Sequence, residues 1–432
     1  MKKWLLIALT LLPSLAFAED TLNTGDTAWM MMSAALVLLM TPAGLALFYA
    51  GMTRSKNVLN TYAMVLGAFV VAFIAWIVAG YSVAFGDGGS LQTIIGGFDN
   101  MFLNGISYKD LSGTYPTYVF VVFQGTFAAI TVAIASGSVI ERIKFSTWLV
   151  FVAIWTIAVY APITHMVWGG DGALLFDAGA LDFAGGTVVH MNGGLAGLVL
   201  AFLVGKRTGY PKIAMKPMNV MLTALGAALL WFGWYGFNGG SAFGANAIAG
   251  LAYLTTTLAT AVAAVTWILI EWLVFKKPTL LGAASGVVAG LVAITPAAGF
   301  VDVTGAIIIG SVGSIIAFYG VASLKKALGY DDSLDAFGIH FLAGLWGALA
   351  TGLLAVKDND LLWDGPLKES GDRMGQFMVQ LESVAVVGAF TLIGTVIVYY
   401  IASALTGGGR VDEETEQVGL DEAIHGEKGL NI

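Results

Sequence analysis

Eleven long apolar runs, separated by short polar loops, constrain this chain more than any other feature. They read as 27–51, 58–85, 117–140, 146–168, 183–204, 218–239, 247–275, 279–297, 303–324, 336–356 and 377–405. At about 1.5 Å per helical residue, each approaches or exceeds a hydrocarbon core of about 30 Å. Little is left for a soluble domain. Charged residues make up 11% of the 432, against about 25% in soluble domains, and the mean hydropathy is +0.83. The chain has no cysteine, which excludes disulfides, thiolate catalysis and cysteine-ligated metals. No basic patch points to nucleic acid. The expectation is an all-α polytopic membrane protein, not an enzyme.

Lys2 and Lys3, the apolar run Trp4–Leu12 and the closing Ala16-Phe17-Ala18 read as a signal peptide, residues 1–18, cleaved after Ala18. Cleavage puts the mature N-terminus outside, so loops after odd-numbered runs are cytoplasmic. Of the 20 Lys and Arg, fourteen fall in those loops and the C-terminal tail, including Arg54, Arg142, Arg207, Lys325 and Arg410. Four (Lys109, Lys357, Lys368 and Arg373) fall on the other side. This asymmetry follows the positive-inside rule and favours an odd number of crossings. It gives a membrane domain over 19–409 and a cytoplasmic tail over 410–432.

Within this apolar background, GGTVVHMNGGLAG (Gly185–Gly197) carries His190, with Gly186 four residues before it and Gly194 and Gly197 four and seven after. AFGIHFLAGLWG repeats the arrangement around His340, with Ala336, Gly344 and Gly347. Ionisable groups are costly in a membrane interior and face a cavity or a partner. A lone histidine is more simply a packing residue bonded to the next helix, but two in matching settings point to a lined path. The two lie in runs five and ten, the last members of two sets of five. Because five is odd, the sets would be inverted in the membrane, an architecture common in transporters. Run eleven stands outside the repeat. Counting from the run ends puts His190 roughly 10 Å from one face and His340 roughly 6 Å from the other, so contact between them does not follow.

Other candidates are less specific. Trp168 is an interfacial anchor or a face for a cation. Asp182 is a helix cap for run five, with an added effect on the local field. Phe123 and Phe127 share a face of run three, and Phe237 and Ser241 end run six. These rings are packing filler or a closure across a pore. His165 and Asp171 read as loop or interface groups. The acidic, polar tail reads by composition as an unstructured terminus.

The strings GLALFYAGMTRSKNVL, FQGTFAAIT, IERIKFS, PITHMVWGG, DFAGGTVVHMNGGLAGL, GWYGFNGGS, DDSLDAFGIHFLAG and GLDEAIHGE closely resemble those of the ammonium transporter family, the Amt/Mep/Rh proteins, and its bacterial Amt branch in particular. The resemblance runs over almost the whole chain after the signal segment. It implies eleven transmembrane helices, helices 1–5 and 6–10 forming an inverted repeat, N-terminus outside and C-terminus cytoplasmic. It implies a homotrimer in the bacterial inner membrane, a pore in each subunit, no cofactor, and ammonium as substrate with methylammonium as an analogue. Trp168, Ser241 and Phe127 match the recruitment site, Phe127 and Phe237 the gate, and His190 and His340 the twin histidines of the pore. Asp182 matches an aspartate needed for activity though not a direct ligand. The resemblance further implies a tail packed on the cytoplasmic face and a PII signal protein that blocks the cytoplasmic mouth.

Three other readings stand beside this one. A bis-histidine haem electron carrier would use His190 and His340 as axial ligands. A sensor of the same fold would bind ammonium mainly to signal. An Rh-like gas channel fits the Amt strings less well.

Overall fold

The structure is a computed structural model that describes residues 21–359 and 362–429. The signal segment 1–18 lies outside the described residues. Among the described residues, ten helices are long and apolar enough to cross a membrane: α1 (Thr24–Met52), α2 (Ser55–Phe85), α3 (Thr117–Ser136), α4 (Phe145–Trp168), α5 (Gly186–Val204), α6 (Val220–Gly239), α7 (Ala247–Phe275), α9 (Val303–Leu328), α10 (Phe337–Leu354) and α11 (Arg373–Leu405). The run expected at 279–297 contains a shorter apolar helix, α8 (Leu280–Ile294), and its last residues form a tight turn through Phe300. A two-residue ribbon, Leu111–Ser112 with Tyr115–Pro116, is the only sheet among the described residues.

Short polar residues start many of these helices. Asn23, Asn219, Asn246, Thr279, Asp302 and Asp372 each accept a hydrogen bond from a backbone N–H of the first turn. Such caps satisfy donors that a helix start leaves open. Several helices also carry a one-turn π-bulge, and two of the bulges hold the histidines: Gly186–Met191 opens α5 and Phe337–Phe341 opens α10. Bulges of this kind are often found at functional sites.

The two histidine helices pack reciprocally through the glycines read from the sequence. A Cβ on Gly194 would lie 2.5 Å from the backbone nitrogen of Phe341, and one on Gly344 3.0 Å from the carbonyl of Gly186 and 3.2 Å from His190. A Cβ on Gly347 would likewise crowd the Ala293 carbonyl. Gly194→Ala is therefore expected to destabilise the protein by about 1–3 kcal/mol, the usual range for overpacking. Thermal unfolding in detergent checks this against Gly388→Ala, whose Cβ would sit at ordinary contact distance, 4.0 Å from Leu195 and Met191. An equal effect from both would sink the argument.

One end of the molecule gathers most of the loops that follow odd-numbered helices. Buried Glu141 accepts hydrogen bonds from Thr53, the Arg54 backbone and the Arg54 guanidinium, and pairs with Arg207 at 3.3 Å. Arg207 pairs in turn with Asp331 at 2.7 Å. Burial pushes the Glu141 carboxyl up, but the Arg207 and Arg54 charges outweigh it and hold it below its ordinary value. Asp331 is held down in the same way by Arg207. Fully buried Arg142 donates to the carbonyls of Ser138, Gly205 and Asp331.

The tail is ordered here, contrary to its composition. It forms α12 (Glu413–Val418) and α13 (Leu420–His425). Glu416 accepts from the Thr208 backbone at 2.6 Å and pairs with Arg410 at 2.7 Å. Asp421 accepts from the Asn60 backbone, and Lys56 donates to the Glu416 carbonyl. Composition reports the exposed face of these two short helices. The anchoring contacts fall on a few carboxylates whose partners are hundreds of residues away.

Candidate functional site

A cavity of about 300 Å³ opens at the end of the molecule opposite the tail. Its walls include Trp168, Phe127, Gln124, Ser241, Asp182 and Phe243. Trp168, the last residue of α4, is half-buried, and its indole N–H donates to the Asp182 carbonyl at 2.8 Å. That bond occupies the indole N–H, and the ring lies edge-on to Phe127, centroids 6.3 Å apart. The Ser241 hydroxyl donates to the Phe237 carbonyl at 2.8 Å, so its lone pairs stay open.

Below this cavity Phe127 and Phe237 stack, centroids 4.0 Å apart and planes at 18°. They come from α3 and α6, and both are almost completely buried. Phe237 leads on to His190 at 5.8 Å. His190 and His340 then lie nearly parallel, centroids 5.4 Å apart, with Nδ1 to Nδ1 at 3.3 Å. A hydrogen bond between two Nδ1 atoms needs one proton. One ring donates, the other accepts, and their Nε2 atoms take the opposite roles. The Nε2 of His190 has no hydrogen-bond partner among the described residues. The separation leaves no room for an iron and a macrocycle between the rings, which removes the bis-histidine haem reading.

The depth count from the run ends did not bring the rings together; the folded helices do. His190 is the fifth residue of α5 and His340 the fourth of α10. The two helices meet through their bulged starts, so both starts are sunk into the protein. Asp182 makes this workable for α5. Its carboxylate accepts from the backbone N–H groups of Gly185, Gly186, Thr187 and Val188 and from the Thr187 hydroxyl, at 2.6–3.1 Å. Gly185, at φ +109°, supplies a turn that side-chain-bearing residues rarely adopt.

Sequence reading passed over three neighbours of this column. Trp234 stacks on His190 at 5.2 Å and anchors its N–H on Thr295. Gln124 lines the cavity. Asp332 accepts from the Phe337 N–H at the start of α10, as Asp182 does for α5. A signal for Asp332 was present, since each aspartate stands eight residues before its histidine. Nothing in the sequence marked Trp234 or Gln124. Phe123 packs on Phe127 and Phe243. His165 is fully buried and bridges the carbonyls of Ala84 and Gln92, tying α4 to the end of α2 and to the loop after it. Asp171 is exposed, outside this cavity.

The family model described as the ammonium transporter family matches residues 28–430. The chain belongs to the ammonium transporter family. An ammonium transporter of Aquifex aeolicus is 46% identical over 99% of this chain and 98% of its own length. Among solved structures, the S453D mutant of Mep2 from Candida albicans superimposes with a TM-score of 0.84 at 34% identity, covering 91% of this chain and 89% of that one. A structure described as a sensor Amt protein gives 0.85 at 29% identity, covering 93% and 98%. Family membership makes this a multi-pass membrane protein that transports ammonium.

Proposed function

We propose that this transporter captures ammonium at the Trp168 cavity, removes a proton near the phenylalanine pair, and passes ammonia along His190 and His340. The observation that carries this reading is the continuous line of rings from Trp168 through Phe127 and Phe237 to the histidine pair. A cation entering so apolar a path forfeits its hydration at a cost of many kcal/mol. The Trp168 face and the Ser241 oxygen replace part of that water at the mouth. Loss of a proton removes most of the remaining cost. Neutral ammonia then needs one donor and one acceptor, which the opposed Nε2 atoms of a histidine pair sharing one proton supply. Asp182, consumed by its own helix, acts on the cation through its negative charge and by holding α5 in place.

Around this pore we place eleven crossings, counting α8, with helices 1–5 and 6–10 as an inverted repeat and α11 outside it. The paired aspartate and histidine spacing and the reciprocal glycine contacts support the repeat. The lysine and arginine bias supports a cytoplasmic tail and an outer Trp168 cavity. The bacterial inner membrane, a cleaved segment 1–18, a homotrimer and a PII signal protein at the cytoplasmic mouth complete the proposal. A sensor role fits less well, because the relative named a transporter shares 46% identity and the sensor Amt structure 29%.

The test is the current evoked by an ammonium jump in proteoliposomes on a supported membrane. Wild-type protein should give a saturating response. Trp168→Leu should raise the half-saturating concentration about tenfold, in line with a desolvated cation–π contact. A wild-type response no larger than that of empty liposomes, in both current and methylammonium uptake, sinks the proposal.

A further inference from the structure

We propose that Gln124 is a substrate-contacting residue of the vestibule, its side-chain amide oxygen being the second acceptor, beside Ser241, for the N–H groups of the bound cation. This rests on the reading of the Trp168 cavity as the recruitment site.

The polar side chains of the cavity can be accounted for one at a time. The indole N–H groups of Trp168 and Trp363 donate to the carbonyls of Asp182 and Ala180. The two carboxylate oxygens of Asp182 accept five donors from the start of α5, which exhausts the lone pairs of a carboxylate. Ser241 spends its proton on the Phe237 carbonyl and keeps its acceptor capacity. Gln124 remains. It is 3% exposed, it lines the cavity, and its Oε1 has no hydrogen-bond partner among the described residues.

An unpaired buried amide oxygen costs about 1–3 kcal/mol, and a leucine of similar size would avoid that cost. The position gives the amide a use. Gln124 lies three residues before Phe127 on α3, so both face the same way, and Phe127 is the floor of the cavity. A primary amide turns about its last torsion and presents either end. A cation selects the oxygen. Ammonium is tetrahedral, and two of its N–H groups then go to Gln124 and Ser241 while a third meets the Trp168 face. The two acceptors recognise directional donors, so the same pocket favours cations that carry N–H.

The test is the concentration dependence of ammonium-evoked current in proteoliposomes for Gln124→Met, Gln124→Ala, Gln124→Glu and Trp168→Leu. Loss of a hydrogen bond to a charged group should raise the half-saturating concentration about tenfold or more in Gln124→Met and Gln124→Ala, with the maximum current unchanged. Gln124→Glu keeps an acceptor and should hold half-saturation at or below that of the wild type. An unchanged value in the Met and Ala variants, with Trp168→Leu shifted, overturns the role of Gln124 alone. An unchanged value in all of them overturns the recruitment reading and this inference with it. An equal fall in maximum current in the Met, Ala and Glu variants without a shift in half-saturation marks a packing residue and also overturns the inference.

Discussion

Alanine at either His190 or His340 is expected to lower ammonium-evoked current and methylammonium uptake by about 100-fold. The two Nδ1 atoms share one proton across 3.3 Å, and both rings are buried. Removing one ring leaves the other with an unpaired nitrogen at the middle of an apolar path. It also removes either the donor or the acceptor that ammonia meets there. An uncompensated polar group in apolar surroundings costs at least about 2–3 kcal/mol, and each 1.36 kcal/mol on a barrier is tenfold in rate. At His190 the cavity left by the ring does not replace this chemistry, because its neighbours Trp234 and Phe237 offer ring faces. Stopped-flow uptake and supported-membrane current check the result. Undiminished transport in both single variants would falsify a pore through the histidine pair.

The second large effect is expected at Asp182. Asp182→Ala should destabilise the protein by about 3–5 kcal/mol, the scale for breaking a buried charged network, and abolish transport. Four backbone N–H groups and the Thr187 hydroxyl would lose their acceptor at once. All sit at the sunken start of α5, two to five residues before His190, and all are buried. Asp182→Asn separates cap from charge. It retains one acceptor oxygen and turns an NH2 group against N–H donors, so part of the cap survives while the negative charge does not. Thermal unfolding should place Asn between Ala and wild type, and transport should fall further than stability does. If Asp182→Ala unfolds at the wild-type temperature, the carboxylate is not what holds α5.

The equal spacing of Asp182 and Asp332 from their histidines carries the symmetry of the site further than the glycines do. Each half of the molecule offers a helix that begins inside the protein, capped by a buried aspartate and bulged at its histidine. Antiparallel placement of two such starts is what brings the rings together. In α5 a continuous crossing helix would have put His190 nearer one face, as counting from the run ends implied. The gap between that count and the 3.3 Å contact measures how far the helix starts are sunk.

The contrast between the tail and the loops shows the same division. Lys and Arg positions read from the sequence place most of the odd-numbered loops at one end, and there Glu141, Arg207 and Asp331 interlock. The tail is as polar as a solvated terminus, yet Glu416 and Asp421 pin it to residues 208 and 60. Polarity says that a segment meets water on one face. It does not say whether three or four of its side chains find partners on the other.

By itself the sequence determined that this chain crosses a membrane many times, which loops share a side, that two histidines on small-residue stripes stand in matching places, and to which family the signature strings belong. Length, charge placement and spacing are properties of the chain in order, so they survive without coordinates. Tertiary structure alone decided that Phe127 and Phe237 stack, that Trp234 covers His190, that Gln124 faces the cavity, and that the histidines touch. In a soluble helix the polar face announces its orientation. Here lipid-facing and core-facing sides are both apolar, so the rotation and depth of each helix leave no trace in the hydrophobic pattern. For α5 and α10 the close backbone approach at the glycines and the two aspartate caps set them.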